Sequence, residues 1–310
     1  MPAMGIVDNY RQRDRMMRVM SKDGKFRASV VKATDLANNA SKRHRLNPLA
    51  SVILGELLMG ALLSASHLKE DEQISIRLEV NGEIKSATAE ANMMGEVRGY
   101  LGNPDPLALS QDPAEMKKLA IGIGLMHVTR SGRVHMSMPS QTQSTVMLEH
   151  SNVPKDLTHY FAVSEQIPTA IRLEVKFNED FTIRHALGFM VQAMPGLDTQ
   201  SDEDVIIEIE NNIIDLAYPS ELIDSGEHIE DIMNKLLKGE EYVELSKTPV
   251  DFFCRCSKEK FLSSLALLGV DELSTLDRDQ EELRCHHCSK TYIITHEEIQ
   301  KEIDKLIQDK

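Results

Sequence analysis

Ile74-Ser75-Ile76-Arg77-Leu78-Glu79-Val80, followed at once by Asn81-Gly82, is the stretch that decides the fold class. Apolar and polar residues alternate without a break. A strand here turns Ile74, Ile76, Leu78 and Val80 to one face and Ser75, Arg77 and Glu79 to the other. Such a one-sided strand suits antiparallel sheet. Asn-Gly is the favoured two-residue hairpin turn, so the return strand is expected over Glu83 to Ala91.

The same reading extends outward. Met94 to Pro104 is spaced by glycines and ends in a turn. A second hairpin is expected across Ile121–Thr129 and Arg133–Met138, with Ser131-Gly132 at its tip. Ile171, Leu173, Val175 and Phe177 alternate behind Pro168, and Thr182 to Gln192 reads as one more strand. Upstream, Phe26, Ala28, Val30 and Lys32 alternate, and Thr34-Asp35 opens a short helix. Asn47-Pro48 is a strong helix start, a capping residue followed by proline at the first helical position. Leu49, Val52, Ile53, Leu57, Met59, Ala61 and Leu62 make that helix apolar on most faces, which places it inside a domain or at an interface. Pro48 to Leu68 is also the best membrane candidate, but Glu56 breaks it and Ser51, Ser64 and Ser66 dilute it, so no span is expected. Met16, Met17 and Met20 stand at helical spacing and read as packing residues. Gly122-Ile123-Gly124 lacks a third glycine and a following helix, and so is strand glycine, not a phosphate loop. The expectation for residues 1–196 is an α+β domain, antiparallel sheet with packed helices, ending near Met194-Pro195-Gly196.

Residues 197–245 differ in charge. No Lys or Arg lies between His185 and Asn234, while twelve carboxylates do: Asp198, Asp202, Glu203, Asp204, Glu208, Glu210, Asp215, Glu221, Asp224, Glu227, Glu230 and Asp231. The net charge of the whole chain is −14. Beneath the charge, Val205, Ile206, Ile209, Ile213 and Leu216 recur at helical spacing behind the capping candidates Ser201 and Asp202, and Ile229, Ile232, Met233, Leu236 and Leu237 form a second amphipathic run. A solvated helical linker is one reading. The other is a linker of marginal stability, because its carboxylates repel one another with no Lys or Arg in the stretch from His185 to Asn234. Its fold then depends on packing against something else, and its apolar residues are covered when docked and bared when released.

Residues 246–310 hold all four cysteines, as Cys254-Arg255-Cys256 and Cys285-His286-His287-Cys288. Two close pairs with nothing left over match a tetrahedral Zn²⁺, which takes four thiolates at ~2.3 Å. Arg255, Lys258, Arg284 and Lys290 flank the pairs and can offset their charge. Ser257 caps an expected helix from Lys258 to Leu268, Leu273 and Leu276 suggest a further turn, Leu283 to Tyr292 forms a hairpin bent at the second pair, and Thr295 with Glu298 has capping-box spacing for a last helix. So few large apolar residues make a thin core that leans on its metal.

The bounds exclude several classes. A net charge of −14 and a pI near 5.3 oppose nucleic-acid binding. Met1 to Met20 carries charges throughout and has no apolar core, so no signal peptide is expected; four cysteines in 310 residues are not a secreted disulfide framework. The reading is a cytoplasmic protein with reduced thiols. One rival is a thiol–disulfide oxidoreductase acting through Cys285 and Cys288. Its motif, however, lies near the C-terminus and follows no first strand of a thioredoxin-like unit. A nucleic-acid-binding zinc ribbon is the other rival, and the acidity opposes it.

Phe253-Cys254-Arg255-Cys256-Ser257, Cys285-His286-His287-Cys288 with Tyr292 and Glu297-Glu298-Ile299, Gly95 to Pro104, and Ser164-Glu165-Gln166-Ile167-Pro168 together resemble the 33 kDa chaperonin family, the redox-regulated heat-shock holdases. The resemblance implies a substrate-binding and dimerisation domain over 1–196, an acidic helical linker over 197–245 and a zinc-binding redox switch over 246–310. It implies an ATP-independent chaperone and no enzyme. Reduced, one zinc per chain sits on Cys254, Cys256, Cys285 and Cys288 and the protein is inactive. Oxidation converts the near pairs to disulfides, zinc leaves, module and linker lose structure, and unfolding client proteins bind to a homodimer. His286 and His287 are spacers in the family pattern.

Overall fold

A first sheet begins at β1 (Arg15–Ser21), the strand nearest the N-terminus in a computed structural model that describes residues 13–135, 138–194, 200–216, 218–276 and 280–308. For 133–135, 138–139, 200–206 and 308 only the backbone is described. Residues before Arg13, the expected domain end at Pro195-Gly196, and the side chains of Val205 and Ile206 lie outside the described residues. The chain divides into two units, Met1–Phe252 and Phe253–Lys310.

In the first unit β2 (Phe26–Lys32), α1 (Thr34–His44) and α2 (Pro48–Ala65) follow β1, then β3 (Gln73–Val80), β4 (Ser86–Asn92), β5 (Glu96–Leu101) and α3 (Pro113–Ile121). The long hairpin β6 (Gly124–His135) and β7 (Met138–Met147) leads to α4 (Val153–Tyr160), which runs on as a π turn over Phe161–Glu165. Strands β8 (Thr169–Phe177) and β9 (Ile183–Ala193) precede the acidic helices α5 (Gln200–Asp215), α6 (Pro219–Asp224) and α7 (Ile229–Leu236). Finally come β10 (Tyr242–Pro249) and the short β11 (Asp251–Phe252). One sheet has the order β10-β1-β2-β9-β8 and the other β11-β5-β4-β3-β6-β7. Neighbours are antiparallel except β11, which lies parallel to β5. The α+β expectation with antiparallel sheet holds.

Helix α2 packs on β2, β8 and β9 of one sheet and on β3, β4 and β5 of the other, which is why it is apolar all round. It is the one described helix long and apolar enough to cross a membrane, and it is buried in the fold. Asn47 caps it through Ala50 N–H at 2.8 Å, with Pro48 in the first turn. Glu56, the charge that breaks the run, is neutralised by Lys117 at 2.6 Å. Strand β3 buries Ile74, Ile76 and Leu78 and leaves Arg77 and Glu79 exposed, as its alternation requires.

Three local expectations change. Asn81-Gly82 is not a two-residue turn; pairing resumes at Ser86, opposite Glu79. The dipeptide docks the loop on the segment after α3 instead: Asn81 Oδ1 accepts Ile123 N–H at 2.8 Å and Gly82 N–H donates to Ile121 O at 3.1 Å. A Cβ on Gly82 would stand 2.4 Å from the carbonyl oxygens of Ala120 and Ile121, so glycine serves close approach here. Ser131-Gly132 is no tip either. Both lie inside β6, opposite Gln141 and Ser140, and Gly132 leaves room for Glu72, whose Cγ a Cβ would meet at 2.7 Å. Ile121, expected to open this hairpin, is the last residue of α3. Met16, Met17 and Met20 lie on β1, where β2 and β10 pair on either side and override the helical spacing.

The acidic helices lie in the first unit. Ile209, Leu216, Leu222, Ile229, Ile232, Met233, Leu236 and Leu237 form one buried cluster with Met17, Val19, Phe26, Ala28, Val30, Leu187, Phe189 and Val191 of β1, β2 and β9. Residues 246–252, expected in the C-terminal module, are strands of the first unit, because β1 has an edge to which Ser246–Pro249 pair.

The second unit contains α8 (Lys258–Ala266), α9 (Val270–Leu273), the hairpin β12 (Gln280–Arg284) and β13 (Thr291–Thr295), and α10 (His296–Gln308). Its buried cluster is Leu273, Ile294, Ile299 and Ile303, with Phe261, Leu262, Leu265 and others half-covered around it. No residue of α8 is fully buried. The core is as thin as the composition predicts.

Candidate functional site

Cys254 and Cys256 lie on the extended stretch between β11 and α8, and Cys285 and Cys288 on the turn that joins β12 to β13. Ser257 ends the first stretch by capping α8 at Lys260 N–H, 3.3 Å away, and Lys260 Nζ returns to Arg255 O at 2.7 Å. The turn is tight: Cys285 N–H donates to Lys290 O at 2.9 Å and Ser289 N–H to Cys285 O at 2.8 Å, with Ser289 left-handed at φ 58°. Its geometry points both knuckle thiols inward, and Cys285 and Cys288 are buried while Cys254 and Cys256 are half-buried.

All four Sγ atoms lie within 4.8 Å of one another. A tetrahedral ion with bonds of ~2.3 Å has ligand–ligand edges of ~3.8 Å. Cys254 to Cys285 is 3.8 Å and Cys256 to Cys288 is 3.4 Å, so the sulfurs already stand near such a tetrahedron and could hold a metal ion. The ligand atoms brought together are sulfurs alone; His286 and His287 fall outside the group. Lys258, expected to offset the thiolates, pairs with Glu298 at 2.7 Å instead, and Lys290 lies over the Tyr292 ring at 4.9 Å.

Tyr292 is the residue that sequence reasoning left without a role at the site. Its hydroxyl is 3.2 Å from Cys256 Sγ and donates to Cys256 O at 2.9 Å, while its ring leans on Phe261 at 5.3 Å between centroids. Nothing in the spacing of the cysteines signals it. Burial works against ionising Cys256, but the Tyr292 hydroxyl and the neighbouring thiols outweigh it and bring the thiol down to about 7. Cys285 and Cys288 go the other way, pushed up by burial and by the charge of nearby sulfur. Four thiols so placed do not ionise together unless a cation joins them. For a catalytic C-x-x-C the setting is wrong: Cys285 and Cys288 are buried in a strand-to-strand turn, and neither stands at a helix N-terminus where a thiolate would be stabilised.

A second arrangement bears on function, the seam under the acidic helices. One cation is their own, Lys235 at 2.7 Å from Glu227, and others come from the sheet. Arg15, 2% exposed, donates to both oxygens of Glu230 at 2.7 and 3.0 Å, and Lys247 lies 3.5 Å from the same carboxylate. Burial alone would raise the Glu230 carboxyl, but a backbone N–H, Arg15 and Lys247 outweigh it and hold it below its usual range. Arg184 and His185 meet Asp224 at 2.8 and 2.6 Å, and Glu174 accepts Ser220 N–H and Oγ–H at the start of α6. Arg172 donates to Leu216 O and Ile213 O at the end of α5. Ile209 and Leu216 are covered and Ile213 is half-covered against the sheet.

Against known proteins, the family described as Hsp33 protein matches residues 14–295. A 33 kDa chaperonin of Desulforamulus reducens is 32% identical over 301 residues, covering 96% of this chain and 99% of its own. A 33 kDa chaperonin of Enterococcus faecalis is 32% identical over 300 residues, covering 96% and 98%. Among solved structures, the 33 kDa chaperonin (heat shock protein 33 homolog) of Thermotoga maritima superposes with a TM-score of 0.81 at 30% identity, over 95% of this chain and 99% of that one. These relatives are named chaperonins, not enzymes.

Proposed function

This chain belongs to the Hsp33 family of chaperones, and from that premise we propose that it is a holdase switched by oxidation of its four cysteines. The observation that carries the proposal is the tetrahedral grouping of Cys254, Cys256, Cys285 and Cys288 in a unit with almost no core of its own. When bound, Zn²⁺ supplies the charge that lets four thiolates coexist and contributes folding energy on the order of 10 kcal/mol. Reduced and loaded, the module is folded and the protein is inactive.

Metal-held thiolates are already the nucleophilic form that peroxide or hypochlorous acid meets. In the assembled cluster the sulfurs also approach across the pairs, Cys254 to Cys285 at 3.8 Å and Cys256 to Cys288 at 3.4 Å. Once the module opens, the shortest tethers win, and Cys254 joins Cys256 while Cys285 joins Cys288. Either pattern removes the tetrathiolate and releases the metal. Phe252 and Cys254 are separated by one residue, and β11 and β10 run back from there to α7. Loss of the module thus frays the edge strand β10, removes Lys247 from Glu230 and frees the acidic helices. The seam opens, baring Ile209 and Leu216 on one side and Phe26, Val30 and Phe189 on the other, apolar surface that an unfolding polypeptide can use.

The partners are unfolding proteins in the cytoplasm, not nucleic acid or membrane; the active form is an oxidised homodimer, and no ATP is used. The test follows zinc content, thiol count and disulfide pairing by mass spectrometry alongside light scattering from a heat-denaturing client. Loss of one zinc and four thiols should coincide with the onset of protection. Zinc retained after full thiol oxidation, or protection that precedes thiol loss, would overturn the switch.

A further inference from the structure

We propose that Met17 and Met233 are a second oxidation site, a thioether lock that becomes accessible when the acidic helices leave the sheet and that, once oxidised, keeps them from returning. The proposal rests on the helix release described above. The described methionines fall into distinct surroundings. Met94 and Met147 are 60% and 63% exposed, so oxidation there changes little. Met16, Met59, Met126 and Met190 are buried, but none belongs to the cluster beneath the acidic helices. Met17 and Met233 both do, one from each side of the seam: Met17 on β1 at 2% exposure and Met233 on α7 at 0%.

In the docked state neither sulfur can be reached. Released, both become flexible thioethers facing solvent while the oxidant that consumed the thiols is still present. Each sulfur then uses a lone pair to take one oxygen atom. With peroxide, S–O forms as O–O breaks and water leaves; with hypochlorous acid, chloride and a proton leave. The product is a polar sulfoxide. Re-docking would bury its S–O dipole among Val19, Phe26, Phe189, Ile232 and Leu236, hydrocarbon neighbours that donate no hydrogen bond. Each unsatisfied sulfoxide lowers the docking equilibrium by roughly tenfold or more. Reduction of the disulfides and return of zinc would refold the module without closing the seam. The chaperone would stay active after the thiols are reset, until sulfoxides are reduced back to thioethers.

The experiment uses full-length protein opened in two ways, by peroxide or hypochlorite oxidation of the thiols, and by sub-denaturing urea in the reduced, zinc-loaded state followed by the same oxidant. Hydrogen exchange in α7 reports release in each arm. Peptide mass spectrometry should find oxygen on Met94 and Met147 in every sample, but on Met17 and Met233 only where α7 exchange has risen. After dithiothreitol and zinc, oxidised wild type should keep exchanging in α7 and protecting a client, methionine sulfoxide reductase should restore the closed state, and M17L/M233L should close without it. If α7 opens in urea but not on thiol oxidation, the thiol switch falls and the methionine proposal is judged on the urea arm alone. Unoxidised Met17 and Met233 in an opened seam, or wild type that closes as fast as M17L/M233L while carrying both sulfoxides, would overturn it.

Discussion

At the scale of single residues, Tyr292 and Glu230 each stand at one end of the proposed switch. The Tyr292 hydroxyl orders Cys256 by touching both its sulfur and its carbonyl. Removing such an outer partner of a metal ligand typically costs tenfold to a hundredfold in affinity. Tyr292→Phe should therefore bind zinc about tenfold more weakly in chelator competition and lose it at lower peroxide, with the ring packing on Phe261 kept. Glu230 acts through charge. Its folded carboxyl is held below the ordinary value of 4.5. The stabilisation this brings is therefore complete above the unfolded value and is lost as pH falls through the folded one. Acid should loosen α7 below about pH 4.5 in the wild type, and Glu230→Gln should loosen it at neutral pH and abolish that part of the acid dependence. Exchange of α7 amides against pH checks both; a variant with unchanged protection at pH 7 would remove Glu230 from the latch.

At the scale of elements, the proposed switch makes the acidic helices a strap held to the sheet by its apolar face as well as by the Glu230 pair. Helix α7 buries Ile229, Ile232, Met233 and Leu236, and its N-terminus is closed by Asp231 accepting His228 N–H at 2.9 Å. Ile232→Ala removes a fully buried side chain from the seam, a change that costs about 2–5 kcal/mol in a packed core. That loss falls on docking and leaves β1, β2 and β9 in place. The variant should protect a heat-denaturing client under reducing conditions with zinc still bound. If it stays inactive while α7 exchanges freely, release of the strap is not sufficient for client binding. Strand β10 is the other element to watch: it pairs with β1 and is the covalent route from α7 to the first cysteine pair.

For the whole molecule, the division at Phe252 sets apart a unit with two sheets around α2 and a unit whose buried cluster is four side chains. If the proposed metal switch holds, the first should outlast loss of metal and the second should not. Oxidation should raise exchange across α5–α7 and beyond Phe253 while β3, β4 and the centre of α2 stay protected. A chain ending at Phe252 keeps β10 and β11 but has no switch, and it should stay folded by circular dichroism. If the module acts only as a clamp, this chain should prevent client aggregation without oxidant. A folded but inert product, beside an active oxidised full-length protein, would move the binding surface into the cysteine module.

What the sequence determined alone was everything carried by neighbours along the chain. The alternation of Ile74–Val80 names a half-buried strand, Asn47-Pro48 starts α2, the apolar run behind it demands burial, and two cysteine pairs have the spacing of a shared metal site. The tertiary structure decided what depends on groups brought together from far apart. Arg15 meets Glu230 across 215 residues, a cation lent by the sheet to an acidic segment whose own Lys235 is taken by Glu227. Asp14 caps α1 by accepting Thr34 and Leu36 N–H, and burial there pushes its carboxyl up to about 7. Asn81-Gly82 docks a loop where its local preference is a tight turn, Met16–Met20 forms a strand where its spacing is helical, and Tyr292 reaches Cys256 from the far side of a hairpin. Periodicity and capping are local energies of a few tenths to about 1 kcal/mol per residue, legible in any short window. Strand pairing and burial outweigh them, and their partners are chosen only when the chain closes on itself.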